Sequence, residues 1–185
     1  MALPRWQDGI HLPLPQVSKQ AAIVLELLYH VKEDDSVIGP VDRVRAHAEG
    51  LLHRSGMTFL TRSDGKILIQ YRNREKETYP DCYDSSSSFH VMFGESYEQT
   101  AKRELIEETG IDAPLEYLMK FTHDDPPEHE IVAVFACRSD ESVVINLSES
   151  FAAIFCTKGE IDEIVKSKNP APWLKVGWSL VRSRF

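Results

Sequence analysis

The run SYEQTAKRELIEETGI, residues 96–111, writes both ends of a helix into its own letters. Ser96 followed three places later by Gln99 is the capping-box arrangement, in which each side chain satisfies a backbone N–H left free in the first turn. Gly110 stands where a helix closes on a left-handed residue. Between these marks lie Glu104, Glu107 and Glu108, and at 100° per residue they share an arc of about 100° on one side. Like charges at i, i+4 cost about 0.2–0.5 kcal/mol per pair, so the fold has to bring positive charge to that side. A divalent cation does this, and oxygen-only ligands point to Mg²⁺ or Mn²⁺.

Around this helix the chain reads mainly as strands. MTFLTR and KILIQY are rich in β-formers and are separated by SDG, whose Asp-Gly is a hairpin signal. IVLELLYHV reads as a strand, KEDDSVIG as a polar turn and PVDRVRAHA as a short helix with proline in its first turn. LEYLMKFT, EIVAVFAC and SFAAIFCT are further strands, KGEIDEIVKSK is a helix, and APWLKVGWSLV is a terminal amphipathic helix packing two tryptophans. YRNREKETYPDCYDSSSS is a long polar connection in which Pro80, Asp81 and the serine run oppose regular structure. Strands with helices between and after them predict a mixed α/β sandwich.

With 185 residues and 42% hydrophobic content the chain can bury one sizeable core. We expect an irregular proline-rich extension over 1–20 and a single domain over 21–185. A net charge of −8 argues against broad electrostatic binding of duplex nucleic acid. Cys82, Cys137 and Cys156 form no CxxC pair, so a reducing, cytoplasmic setting fits best. The N-terminal residues lack a continuous apolar stretch, and AAIVLELLYHV is short and contains Glu26, so neither export nor a membrane span is expected.

The capped helix and the residues ahead of it resemble the Nudix box, G-x5-E-x7-R-E-U-x-E-E-x-G-U with U aliphatic. Glu95, Arg103, Glu104, Leu105, Glu107, Glu108, Gly110 and Ile111 stand in register, eight of the nine specified positions. Phe89 replaces the first glycine and removes its backbone freedom, so the loop ahead of the helix is expected to be rebuilt. The resemblance implies a Nudix fold, a mixed β-sheet sandwiched between α-helices. It also implies that Glu104, Glu107 and Glu108 bind one or more Mg²⁺ while Arg103 orients carboxylates, Glu95 among them. The chemistry so implied is cleavage of a diphosphate, with metal ions neutralising its anionic oxygens and acidifying an attacking water. Glu104, Glu128 and Glu130 remain open as the base that takes the proton of that water.

A broader resemblance, from about Asp34 to Trp178, is to the isopentenyl-diphosphate isomerase branch of the same superfamily and its hydrolase-like relatives. It is carried by DDSVIGPVDRVRAHAEGLLHR, by GKILIQYRNREKETYPDCYDSSSSFHVMFGES and by EHE. It implies a second divalent-metal site from His47, His53, His90, Glu128 and Glu130, and a grip on the substrate diphosphate by Arg72 and Lys76, with Arg74 assisting. A planar fork and a point charge in one loop suit that grip. Ser88 stands where the isomerase has its catalytic cysteine, and a hydroxyl is a far weaker acid than a thiol. The intact RELIEE likewise follows the hydrolases.

The sequence therefore predicts a Mg²⁺-dependent hydrolase cleaving a diphosphate bond in a nucleoside diphosphate linked to another group. Isopentenyl-diphosphate isomerase and a non-catalytic diphosphate-binding module are the alternatives. Tyr79, Tyr83, Phe89 and Phe93 are candidates to stack on a base, against the plainer reading that they pack the core. A homodimer is left open.

Overall fold

Residues 26–185 are described by a computed structural model; the expected extension over 1–20 and the first part of the strand read over 23–31 lie outside them. β1 (Leu27–Val31) and β2 (Val37–Asp42) pair antiparallel, and α1 (Arg43–Glu49) follows directly. The sequence placed Pro40 in the first turn of that helix. Instead Pro40 sits in β2 opposite Tyr29, on an edge strand where its missing N–H costs no ladder bond. Asp42 starts the helix, its carboxylate accepting from the N–H groups of Val44 and Arg45 at 3.0 and 3.3 Å.

β3 (His53–Thr61) and β4 (Ile67–Arg72) follow, then the short β5 (Tyr83–Asp84) and β6 (Ser87–His90). The serine run is therefore ordered and, from Ser85 to Ser87, buried. α2 (Tyr97–Thr109) has the capping box at Ser96 and Gln99, and Gly110 closes it at φ 73°. β7 (Glu116–Asp125), β8 (Glu128–Arg138) and β9 (Ser150–Cys156) come next, before α3 (Lys158–Ser167), α4 (Pro172–Val181) and a final 3-10 turn.

β3 organises the mixed sheet. It runs parallel to β8 from His53↔Glu130 to Thr61↔Arg138, and antiparallel to β6 from Ser55↔His90 to Thr58↔Ser87. The turn between β3 and β4 forms where expected, with Gly65 at φ 79°, but the arms separate after Thr61↔Ile67 and β4 pairs with β9 instead. Alternation along the strands then divides the core into two layers. Met57, Phe59, Ile69, Val132 and Val134 pack against Ile161 of α3 and against Leu174 and Trp178 of α4. On the opposite face Leu60 and Leu68 pack against Leu105 of α2, and Phe89, Ala133 and Phe135 against Ala101. Each buried Val, Leu, Ile, Phe or Met among them contributes about 1.5–3 kcal/mol relative to exposure. The expected α/β architecture, a mixed sheet between helical layers, is the one observed. Among the described residues no helix is long and apolar enough to cross a membrane.

Candidate active site and metal centre

The register of β3, β6 and β8 gathers the histidines. His53 starts β3 beside Glu130 of β8, and His90 ends β6 beside Ser55. α1 then delivers His47, whose Nε2 lies 3.3 Å from Nε2 of His90 and 3.3 Å from Oε2 of Glu128. Potential ligand atoms of His47, His53, His90 and Glu128 all fall within 4.8 Å of one another. Glu130 joins them, its Oε1 lying 3.7 Å from Nε2 of His53 and 3.4 Å from Nε2 of His90. All five residues singled out for a second metal site are thus brought together.

The donor set fits a divalent cation. His53 Nδ1 lies 2.8 Å from the Leu51 carbonyl, which sets the tautomer and leaves a lone pair on Nε2. That Nε2 is buried and has no hydrogen-bond partner, and neither has Oε2 of Glu128. Buried unsatisfied polar atoms are uncommon and costly, and a shared cation satisfies both. Imidazole with carboxylate suits Zn²⁺ or Mn²⁺ as well as Mg²⁺. Without an ion, burial pushes His53 down to about 4. Burial also resists a charge on His90, but Glu128 and Glu130 overcome it and push His90 up to about 9. Burial likewise works against the Glu128 carboxylate, yet His90 beside it holds Glu128 down to about 2.

The carboxylates of α2 are arranged differently. Arg103 binds Glu95 through Nε and Nη2 at 3.1 and 3.0 Å, and its Nη1 reaches Glu104 at 2.7 Å and Glu107 at 3.2 Å. Glu107 is otherwise half exposed. Glu108 turns inward instead, accepting from Gln70 Nε2 at 2.9 Å, Ser87 Oγ at 3.1 Å and the Ser88 N–H at 3.2 Å. Burial raises the Glu104 carboxyl, and it raises Glu108 well above the usual range, reinforced there by Asp84, Glu104 and Glu149. Arg103 thus pairs with Glu95, Glu104 and Glu107, while Glu108 is held by neutral donors of the sheet.

One cleft of about 310 Å³ joins the two groups, lined by His90, Glu128 and Glu130 at the histidine cluster and by Glu104 of α2. Arg72 and Lys76 line it as well, while the exposed Arg74 does not. Both cations are already paired, Arg72 with Asp84 at 2.9 Å and Lys76 with Glu149 at 2.5 Å. The lining holds seven glutamates against three lysines and arginines, so an anionic ligand needs cations to enter.

Phe89 lies in β6 opposite Gly56, and a Cβ on Gly56 would come within 2.6 Å of its ring. Of the four aromatics proposed to stack on a base, only Phe89 lines the cleft. Tyr79 and Tyr83 pack against the core, beside Trp173 and Tyr71, the plainer reading, whereas Phe93 is exposed and touches Tyr29.

Ser88 also lines the cleft, and its hydroxyl lies 2.7 Å from Asp84 Oδ2. Because an ionised carboxylate only accepts, the Ser88 proton is committed to Asp84. The sequence reading missed Asp84, Glu149, Ser55 and Trp173. No spacing marks them, since they lie far apart in the chain, on β3, on β5, just before β9 and on α4.

The family model described as NUDIX domain matches residues 51–175. An uncharacterized Nudix hydrolase of Pseudomonas aeruginosa is 34% identical over 140 residues, covering 75% of this chain and 83% of its own. Isopentenyl-diphosphate Delta-isomerase 2 of Photorhabdus laumondii is 33% identical over 129 residues, covering 67% and 73%. Among solved structures, one from Deinococcus radiodurans matches with a TM-score of 0.71 at 25% identity, covering 85% of this chain and 98% of that one. Sequence match, architecture and relatives of both kinds agree: the chain belongs to the Nudix hydrolase superfamily, in its isopentenyl-diphosphate isomerase-like branch.

Proposed function

We propose that this enzyme hydrolyses a diphosphate bond in a nucleoside diphosphate linked to another group, with Mg²⁺ or Mn²⁺. The single observation that carries the reading is the acidic cleft, which runs from a buried His/Glu cluster to Glu104 of the carboxylate helix. Glu104, Glu107 and Glu108 would hold one ion, and His47, His53, His90, Glu128 and Glu130 a second. Divalent ions held there supply charge neutralisation to the diphosphate oxygens and acidify the attacking water. Arg103 keeps Glu95, Glu104 and Glu107 in place, and Arg72 and Lys76 grip the diphosphate. Glu104 or Glu130 would take the proton from the water.

The test is to incubate the protein with Mg²⁺ or Mn²⁺ and a panel of nucleotide sugars, dinucleotides, nucleoside triphosphates, coenzyme A and isopentenyl diphosphate, and to identify products by mass. Two phosphate-bearing products from one substrate are expected. No cleavage across the panel would sink the reading. Glu107→Gln should lower turnover at least about tenfold while leaving the fold intact; unchanged turnover would count against its metal role.

A second reading, isopentenyl-diphosphate isomerase, is favoured by the His/Glu cluster itself and opposed by Ser88, whose hydroxyl already donates to Asp84. Solvent deuterium entering isopentenyl diphosphate without phosphate release would establish it.

A further inference from the structure

Asp84 belongs to no motif, yet five donors converge on its carboxylate. Oδ2 accepts from Arg72 Nη1 at 2.9 Å and from Ser88 Oγ at 2.7 Å. Oδ1 accepts from Trp173 Nε1 at 2.8 Å and from Ser85, through its N–H at 2.7 Å and its hydroxyl at 3.4 Å. Asp84 is 3% exposed and does not line the cleft, whereas Arg72, Ser88 and Trp173 do. A buried carboxylate is costly unless its oxygens are paired, and this one is saturated. It has no lone pair to spare for a metal or substrate, so its influence on the cleft passes through its partners.

The effect on Arg72 is the larger. Its Nε donates to the Tyr79 carbonyl and its Nη2 to the Thr78 carbonyl, each at 3.0 Å, and Nη1 to Asp84. A guanidinium has five N–H donors; Nη1 also reaches Ser88 Oγ at 3.4 Å, so at most one remains for a ligand and the others set its direction. Asp84 also cancels the charge of Arg72, so this wall selects by geometry rather than by bare attraction. The Ser88 hydroxyl, donating to Asp84 and accepting from Arg72, keeps one lone pair with which to accept from a ligand.

We propose that Asp84 is a positioning residue for the diphosphate wall of the cleft, acting through Arg72 and Ser88. The proposal rests on reading that wall as a diphosphate site. A double-mutant cycle tests it. Methylenediphosphonate, which is not hydrolysed, is titrated calorimetrically into the protein at saturating Mg²⁺, each variant first being checked for cooperative thermal unfolding. Arg72→Ala and Asp84→Asn should each weaken binding about tenfold, and the double variant should bind no more weakly than Arg72→Ala alone. Losses that multiply, or an Asp84→Asn variant that binds as well as or better than wild type, would overturn the proposal. If Asp84→Asn does not fold, Asp84→Glu carries the test: the same charge displaced by one methylene must drag Arg72 and weaken binding severalfold, and unchanged affinity overturns it. Turnover separates the two readings. A non-additive cycle in a protein that cleaves no diphosphate bond would sink hydrolysis and leave Asp84 standing, and normal cleavage with an additive cycle would do the reverse.

Discussion

Gly56 and Phe89 face each other across β3 and β6, a small and a large residue sharing one space. Gly56→Ala should destabilise the protein by about 1–3 kcal/mol, because a Cβ there meets a ring that the core holds in place. Phe89→Ala should cost about 3–5 kcal/mol by opening a cavity, and the double variant less than the sum. Urea denaturation of the three variants measures this, and additive losses would show that the two residues are not coupled. The pair also marks one limit of the sequence reading: the register that sets Gly56 opposite Phe89 is a property of the sheet. Glu104, Glu107 and Glu108 were legible because helix periodicity puts them on one side. The inward turn of Glu108 was not, because Gln70, Ser87 and Ser88, its partners, come from other strands.

At the scale of elements, α2 was readable to the residue because its caps are local hydrogen-bonding chemistry. The β3–β4 turn was equally local, but the partners of its arms were not, since β8 and β9 follow many residues later. Four elements are tied together at Asp35, in the β1–β2 turn. Its carboxylate accepts from Arg54 of β3 at 2.6 Å, Lys120 of β7 at 2.5 Å and Tyr97 of α2 at 3.2 Å. Burial resists the Asp35 charge, but Lys120 and Arg54 outweigh it and hold the carboxyl below its ordinary 3.8. The stabilisation is therefore complete above the unfolded value and is lost as pH falls through the lower folded one. Asp35→Asn, which still tolerates the left-handed φ of 66°, should cost about 1–3 kcal/mol at neutral pH and flatten the loss of stability below about pH 4. Denaturation curves at neutral and acid pH check this; parallel acid losses in variant and wild type would refute it.

For the whole molecule, a cation that binds the folded His/Glu cluster must stabilise the fold. At a hundredfold excess over its dissociation constant, linkage gives about 2.7 kcal/mol. Chelation should lower the melting temperature, re-addition of Mn²⁺, Zn²⁺ or Mg²⁺ should restore it, and His53→Ala should abolish the metal-dependent part. A melting temperature indifferent to chelator and to all three ions would remove the metal centre from the reading. Sequence by itself determined what is local or periodic: the capped helix, its carboxylates in one arc, the alternating strands, and through the resemblance which five residues to watch for a second site. Tertiary structure alone decided which of these groups meet. Strand register puts His53 beside Glu130 and His90 beside Ser55, α1 brings His47 to them, and Arg72 of β4 and Trp173 of α4 close on Asp84. The physical reason is that register and layer packing are set by burial summed over the whole sheet, whereas caps and periodicity depend only on residues within a turn or two of one another.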